Sequence, residues 1–483
     1  MARIWSSLQE NFFGQFVTGT RHLIVRARAG TGKTTSIVEA VMRLLQANAT
    51  RSIVICAFNK NIAEELITRF VGFNVTVKTL HAIGLSCVKR FWPDVKVAFT
   101  RDRENDLAPH ATTGEQLLDI AIKFECEPED AWSRDGFGVE YVCTKAAQAM
   151  ALAANEKPVK TGIDGSDMIF LPVRNGWLHP MCDDVVVDEA QDMTAAQLEI
   201  AQGICRGRIT VVGDDKQAIY GFRGADSGSI DRLKSSLDAI ELPLNITYRC
   251  AQSIVREAQY YVPDFQAGES NPEGSVSTLE EAKLTSEACA GDFILSRVNA
   301  PLVSVAMSLL RAGKRTRIAG RDIGAGLIGL IRKFKSRSIP DLLKKISAWE
   351  EKEKERLLAR FKGKGDLSQN ATYMQRFDAI SDQAEMLTSL TDNATNVQEV
   401  ESRITALFTD DGLGAAGMIT CSSVHKAKGL EADRVFILAD TLRNNSDEER
   451  NICYVAITRA KSSLVYVSAK SPADAHNARE GVR

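Results

Sequence analysis

The chain predicts an α/β protein with parallel sheets covered by helices, and three observations carry that prediction. Short β-branched runs alternate with helical stretches near both ends of the sequence. One of these runs, His22–Arg26 (HLIVR), leads through a glycine-bearing loop into the helical stretch Lys33–Gln46. Two stretches, about 86–174 and about 326–414, lack strand alternation and read as mainly helical insertions.

In chain order, Ile53–Ala57 repeats the strand signal and Lys60–Phe70 the helix. Val185–Val187, Ile209–Val212, Phe436–Leu438 and Leu464–Val467 supply further strands. In the second helical stretch, Ile331–Gly365 holds 12 Lys/Arg against 5 Asp/Glu, which reads equally well as a solvated helix face or as a functional basic surface. The length of 483 residues suggests about three domains, at roughly 150 residues each.

Composition excludes several classes. With Lys+Arg 60 and Asp+Glu 62, the net charge of −2 excludes a polybasic protein that holds nucleic acid by bulk charge. The 10 cysteines are scattered without a C-x-x-C pair, so zinc-ribbon and iron–sulfur spacings are missing and a reduced, cytoplasmic setting is expected. No run of about 18 apolar residues suggests a membrane span. The N-terminus mixes polar residues into its apolar positions, unlike a signal-peptide core.

Three motifs carry chemistry. Ala27–Thr34 (ARAGTGKT) has phosphate-loop spacing, with Ala27 in place of the first glycine. Backbone N–H groups of Ala29, Gly30, Thr31 and Gly32 would ring a phosphate at a helix N-terminus. Lys33 would reach the β- and γ-phosphates, and the Thr34 hydroxyl would bind Mg²⁺. Val185–Asp192 (VVVDEAQD) puts Asp188 at the C-terminal end of a buried strand, where it can hold Mg²⁺ while Glu189 polarises a water. Val211–Ala225 (VVGDDKQAIYGFRGA) ends a strand and continues into a polar loop. Gln217 could sense a γ-phosphate there, and Tyr220 and Phe222 suit stacking on bases better than burial.

These motifs stand in the order found in superfamily 1A helicases of the UvrD/PcrA/Rep type, and the chain resembles that family. Thr247–Arg249 (TYR), Ser423–Glu431 (SVHKAKGLE) and Tyr454–Lys461 (YVAITRAK) resemble its motifs IV, V and VI. The resemblance implies two RecA-like P-loop domains, each with a helical insertion, and an ATP site in the cleft between them. It divides the chain into core domain 1A (1–85 and 175–243), insertion 1B (86–174), core domain 2A (244–325 and 415–483) and a reduced 2B-like insertion (326–414).

The same resemblance implies residue roles. Gln9 would read adenine, Tyr248 would stack on it, and Thr35 stands where UvrD and PcrA have an adenine-contacting Arg. Arg249 and Arg459 would be arginine fingers on the γ-phosphate. Glu431 would hydrogen-bond the ribose, with Gly429 allowing close backbone approach. Single-strand contacts would come from Phe58 and Asn59, Thr79 and His81, Phe222 and Arg223, and His425, with Arg297 and Asn299 as a further motif. Thr247 stands where the family often has Asn, and Ser423 where it often has Thr.

The implied activity is ATP-dependent 3′→5′ translocation on single-stranded DNA with duplex unwinding, using ATP and Mg²⁺. Expected partners are single strands and single/double-strand junctions. RNA stays open because a stacking grip tolerates either sugar. A monomer is expected. Two alternatives are a translocase that remodels nucleoprotein with little unwinding, and a nucleotide-gated binding protein. Repair, replication, recombination, phage replication and defence all use such motors.

Overall fold

The computed structural model describes residues 4–58, 60–97, 163, 165–219, 229–361, 371–408 and 417–469. The chain divides into two units, Met1–Ile246 and Thr247–Arg483.

The first unit is built on a parallel sheet of six strands: β1 (Leu23–Ala27), β2 (Ile53–Ala57), β3 (Val75–Thr79), β4 (Cys182–Val187), β5 (Cys205–Gly213) and β6 (Ile240–Leu244). Their order is β3-β2-β4-β5-β1-β6, and every pairing is parallel. Helices α1 (Ser7–Thr18), α2 (Lys33–Ala47), α3 (Lys60–Arg69), α4 (Leu80–Phe91), α5 (Gly165–Arg174), α6 (Ala195–Gly203) and α7 (Ser229–Ser236) accompany it.

The two-residue period of a strand explains why helices cover both faces. Leu23, Val25, Ile53 and Ile55 share a core with Phe12, Phe16, Ile37 and Leu66 of α1, α2 and α3. The intervening Ile24, Val54 and Cys56 share another with Ile83, Ile200 and Leu233 of α4, α6 and α7. A strand buried on both faces must be apolar throughout, as IVICA is. Of the predicted insertion 86–174, residues 98–162 and 164 lie outside the described residues. The pieces that flank them pack together, and Gly84 of α4 approaches α5 so closely that a Cβ would fall 1.9 Å from the Met168 carbonyl oxygen.

The second unit holds another six-stranded parallel sheet: β9 (Ser275–Glu280), β10 (Phe293–Ser296), β11 (Thr316–Ile318), β12 (Ile419–Ser423), β13 (Ala432–Leu438) and β14 (Ala460–Ser468), ordered β11-β12-β10-β13-β14-β9. A small sheet pairs β7 (Ile246–Thr247) with β8 (Gln266–Ala267). Its helices are α8 (Gln252–Ala258), α9 (Glu281–Glu287), α10 (Ala300–Arg311), α11 (Arg321–Phe334), α12 (Ile339–Phe361), α13 (Ala371–Thr391), α14 (Val397–Leu407) and α15 (Asp447–Ile457).

The chain between β11 and β12, two neighbouring strands, carries α11 to α14. Among the described residues, these helices share the core of the sheet. Leu327, Ile331, Leu342, Leu387, Leu390, Val400 and Ile404 belong to the same buried cluster as Ile294, Ile318, Ile419 and Phe436 of the sheet.

Candidate functional site

In parallel sheets the loops after the strands gather at one edge. In the first unit the edge past the C-terminal ends of β1, β4 and β5 collects the described residues of the three motifs. The loop after β1 turns through Gly30 (φ 68°) and Gly32 (φ 79°), left-handed conformations that suit glycine, and α2 begins at Lys33. Lys33 Nζ lies 2.8 Å from Glu189 Oε2. Thr34 Oγ1 lies 3.4 Å from Asp188 Oδ2, and Asp188 Oδ1 accepts from Glu189 N at 2.9 Å. Thr35 is half-buried on the first turn of α2, and Ala29 and Thr31 are buried in the loop.

Glu189 itself has a left-handed backbone (φ 53°), a strained conformation for a non-glycine residue. Burial first, then the charge of Glu189, pushes the Asp188 carboxyl up to about 7. Burial disfavours the charged form of Lys33, but the carboxylates of Glu189 and Asp214 outweigh it and raise the ammonium above its ordinary value. Gln191 Nε2 donates to Glu189 Oε2 at 2.6 Å, and its Oε1 accepts from Asp214 N at 3.0 Å. Gln217 donates to Asp214 Oδ2 at 2.7 Å.

Thr34 and Asp188 together offer a hydroxyl and a carboxylate, the hard oxygen donors that Mg²⁺ takes alongside water and substrate phosphates. Among the described residues no group of three or more His, Cys, Asp or Glu could hold a metal by protein alone.

Gln9 reaches this loop from α1. Its backbone and Oε1 close a capping box with Ser6, while Nε2 donates to Ser36 Oγ at 3.2 Å and to Thr31 O at 3.5 Å. Sequence reasoning missed what holds α1 there. Arg208, on β5, donates to the carbonyls of Gln15, Phe16 and Gly19 at the end of α1.

Of the candidate strand contacts of this unit, Phe58, Thr79 and His81 lie along the same edge. Phe58 follows β2 and packs partly against the core, and Thr79 ends β3 and caps α4 by accepting from Ala82 N. His81 is half-buried on the first turn of α4. Asn59, Tyr220, Phe222 and Arg223 lie outside the described residues.

In the second unit the candidates divide between opposite edges of the sheet. Gly429 (φ 86°) and Glu431 precede β13, and Arg459 and Lys461 flank the first residue of β14. Glu431 lies between two cations, 2.5 Å from Arg249 Nε and 2.8 Å from Lys461 Nζ. Burial alone would raise its carboxyl, but Lys461 and Arg249 hold it below the usual range. Tyr248 is 49% exposed. Asn271, unmarked by any motif, donates to the carbonyls of Thr247 and Cys250 at 2.9 and 2.8 Å and so clamps the turn that carries Tyr248 and Arg249.

Arg459 is placed differently from the expectation of a presented finger. It is 1% exposed, and its guanidinium donates to Val455 O, Leu430 O and Thr458 Oγ1. Burial first, then neighbouring Arg249, pulls its pKa down to about 10.

Arg297, Asn299 and His425 follow β10 and β12 at the other edge, where Ser296 pairs with Ser423. His425 is half-buried. Arg297 is held bidentately by Glu449 at 2.8–3.0 Å, and Asn299 Nδ2 donates to Asp382 Oδ2 at 3.0 Å. Both are therefore engaged by carboxylates of their own unit and are half-buried.

The eight described cysteines are free thiols. No helix among the described residues is long and apolar enough to cross a membrane.

Residues 14–223 match the model of an AAA domain, and residues 317–471 match the UvrD-like helicase C-terminal domain. F-box DNA helicase 1 of Gallus gallus is 26% identical over 91% of this chain and 47% of that protein. The ATP-dependent DNA helicase Rep of Escherichia coli K12 is 26% identical over 51% of this chain and 42% of its own length. The ATP-dependent DNA helicase UvrD2 of Mycobacterium tuberculosis is 24% identical over 91% of this chain and 75% of its own. The chain thus spans less than half the length of the first two of these relatives. With the two models lying one on each parallel-sheet unit, the chain is similar to the UvrD/Rep-like superfamily 1 helicases in both.

Proposed function

We propose that the chain is an ATP-dependent 3′→5′ DNA helicase and single-strand translocase. The observation that carries this reading is the cluster of Lys33, Thr34, Asp188 and Glu189 at one sheet edge of the first unit. Lys33 and the loop N–H groups would hold the triphosphate, and Glu189 would orient the attacking water. Mg²⁺, held by Thr34 and Asp188, would neutralise charge on the phosphates. Gln9 and Tyr248 would contact the base, with Thr35 near it, and Glu431 with Gly429 the ribose. Arg249 is proposed to stabilise charge that develops at the γ-phosphate. Arg459 would do so only after leaving the carbonyls it now bonds.

The proposed division is core 1A (1–85, 175–243), insertion 1B (86–174), core 2A (244–325, 415–483) and a 2B-like insertion (326–414). Phe58, Asn59, Thr79, His81, Tyr220, Phe222, Arg223 and His425 are the proposed grips on a single strand. Their stacking contacts, at about 1–3 kcal/mol per base, are strong enough to hold and weak enough to release. Arg297 and Asn299 would join them only by exchanging Glu449 and Asp382 for phosphate.

A second reading, a translocase that remodels nucleoprotein with little unwinding, is favoured by one observation. The insertion α11–α14 is packed into the core of its own unit. Strand displacement on 3′-tailed, 5′-tailed and blunt duplexes separates the two readings. The helicase reading expects ATP-dependent displacement with the 3′ tail alone. A requirement for a 5′ tail overturns the polarity. Strand-stimulated ATP hydrolysis without displacement favours the second reading, and no stimulated hydrolysis sinks both.

A further inference from the structure

No motif assigned a role to Arg28, yet its side chain joins two of them. Its backbone is fixed on both sides: Arg28 N donates to Leu244 O at 2.8 Å, and Arg28 O accepts from Thr31 Oγ1 at 2.9 Å. The guanidinium is nearly buried, with Nη1 donating to Asp214 Oδ1 at 2.9 Å and to Asp215 Oδ1 at 2.8 Å. Asp214 has no exposed side-chain surface, and its other oxygen accepts from Gln217 Nε2 at 2.7 Å. From Asp214 N the bonds run on through Gln191 to Glu189 and end at Lys33. A path that leaves the phosphate loop at Arg28 therefore returns to it at Lys33.

We propose that Arg28 is a positioning residue for ATP hydrolysis, the strut through which the phosphate loop fixes Asp214 and thereby Gln217. The proposal rests on reading the Lys33 loop as the nucleotide site. Two features support it. Burying a cation and a carboxylate is costly, and an apolar side chain would fill the same space without that cost. The fork of an arginine also fixes direction as well as charge, which a lysine does not. Asp215 has a second cation, Arg26 Nη1 at 2.9 Å, so the bond to Asp214 is the one that a change at Arg28 would disturb most.

The test is Arg28→Lys, which keeps a positive charge beside Asp214. Single-turnover hydrolysis of radiolabelled ATP, with single-stranded DNA present, should slow by about 10- to 100-fold, the scale of a misplacement near 1 Å. Binding of a fluorescent ATP analogue should stay at the wild-type strength. In a Gln217→Ala background the same substitution should slow hydrolysis no further, because Arg28 acts through Gln217. Equal fold losses in both backgrounds overturn the proposal. So does weakened nucleotide binding with an unchanged hydrolysis rate, or a lowered melting temperature with unchanged hydrolysis. If Arg28→Lys fails to fold, the charge-neutral pair Arg28→Met with Asp214→Asn carries the same expectations, since Arg26 still serves Asp215. Lys33→Ala, assayed in parallel, addresses the underlying reading: wild-type hydrolysis in that variant would remove the nucleotide site, whatever Arg28 does.

Discussion

Asp382 joins the helical insertion to the start of α10 in the second unit, and Asp382→Ala should show how much that junction stabilises. The cap residue of α10, Asn299, makes no side-chain cap of its own. Asp382, on α13, supplies the acceptors instead. Its Oδ1 accepts from Asn299 N at 2.9 Å and Ala300 N at 2.7 Å, and its Oδ2 from Asn299 Nδ2 at 3.0 Å. Losing an N-cap costs about 1 kcal/mol. Losing a negative charge at a helix N-terminus costs about 0.5 kcal/mol more. A hydrogen bond from a side-chain amide to a charged acceptor adds about 1.5 kcal/mol, for about 3 kcal/mol together. In a unit of this size each kcal/mol moves the midpoint by about 2–4 °C, so the expected fall is about 6–12 °C. Differential scanning calorimetry of the full chain measures it, and Asp382→Asn, which keeps an acceptor but not the charge, should fall between. A drop of less than about 2 °C in Asp382→Ala would refute the reasoning.

Other perturbations address the nucleotide site. Lys33→Ala and Glu189→Gln should each lower strand-stimulated phosphate release by roughly 10²- to 10³-fold while single-strand binding, read by fluorescence anisotropy, persists. Tyr248→Ala should raise the KM for ATP by roughly 5- to 100-fold with kcat little changed, as expected for a lost stacking contact. A fall in kcat at constant KM would move Tyr248 out of the base site. The pH dependence has a definite sign. The folded protein keeps the Asp188 proton up to about pH 7, whereas the unfolded chain gives it up near 3.8. The stability this proton contributes is present below pH 3.8 and is lost as pH rises through 7, at up to about 1.4 kcal/mol per pH unit. Asp188→Asn should therefore gain melting temperature relative to the wild type between pH 5 and pH 8. A difference that stays constant across that range would remove Asp188 as the titrating group.

What the sequence made legible was local. ARAGTGKT states its chemistry in eight consecutive residues, and VVVDEAQD places Asp188 and Glu189 at a strand end by the same short-range logic. Strands buried on both faces, such as IVICA, stand out because every residue is apolar. The edge strands do not: β9 reads SVSTLE and β3 reads VTVKT, half-exposed patterns that resemble loop. Partners distant in sequence were invisible. Nothing near Arg28 announces Asp214, nothing near Asn299 announces Asp382, and Asn271 carries no motif at all. The burial of Arg459 was hidden for a related reason, since a motif names a residue type and not the carbonyls that surround it.

The shared core of the second unit bears on how this chain can be altered. The stretch from α11 to α14 looks like a cassette spliced between two neighbouring strands, and a protein engineer would be tempted to delete it or exchange it for a relative's. Yet Leu327, Leu342, Leu387 and Ile404 are walls of the host's own interior. Excision would strip β11 and β12 of their cover and expose Ile318 and Ile419 to water. A swap at this position therefore has to bring a matching apolar face with it, and a lineage that shortened this segment would have had to repack the sheet beneath it at the same time.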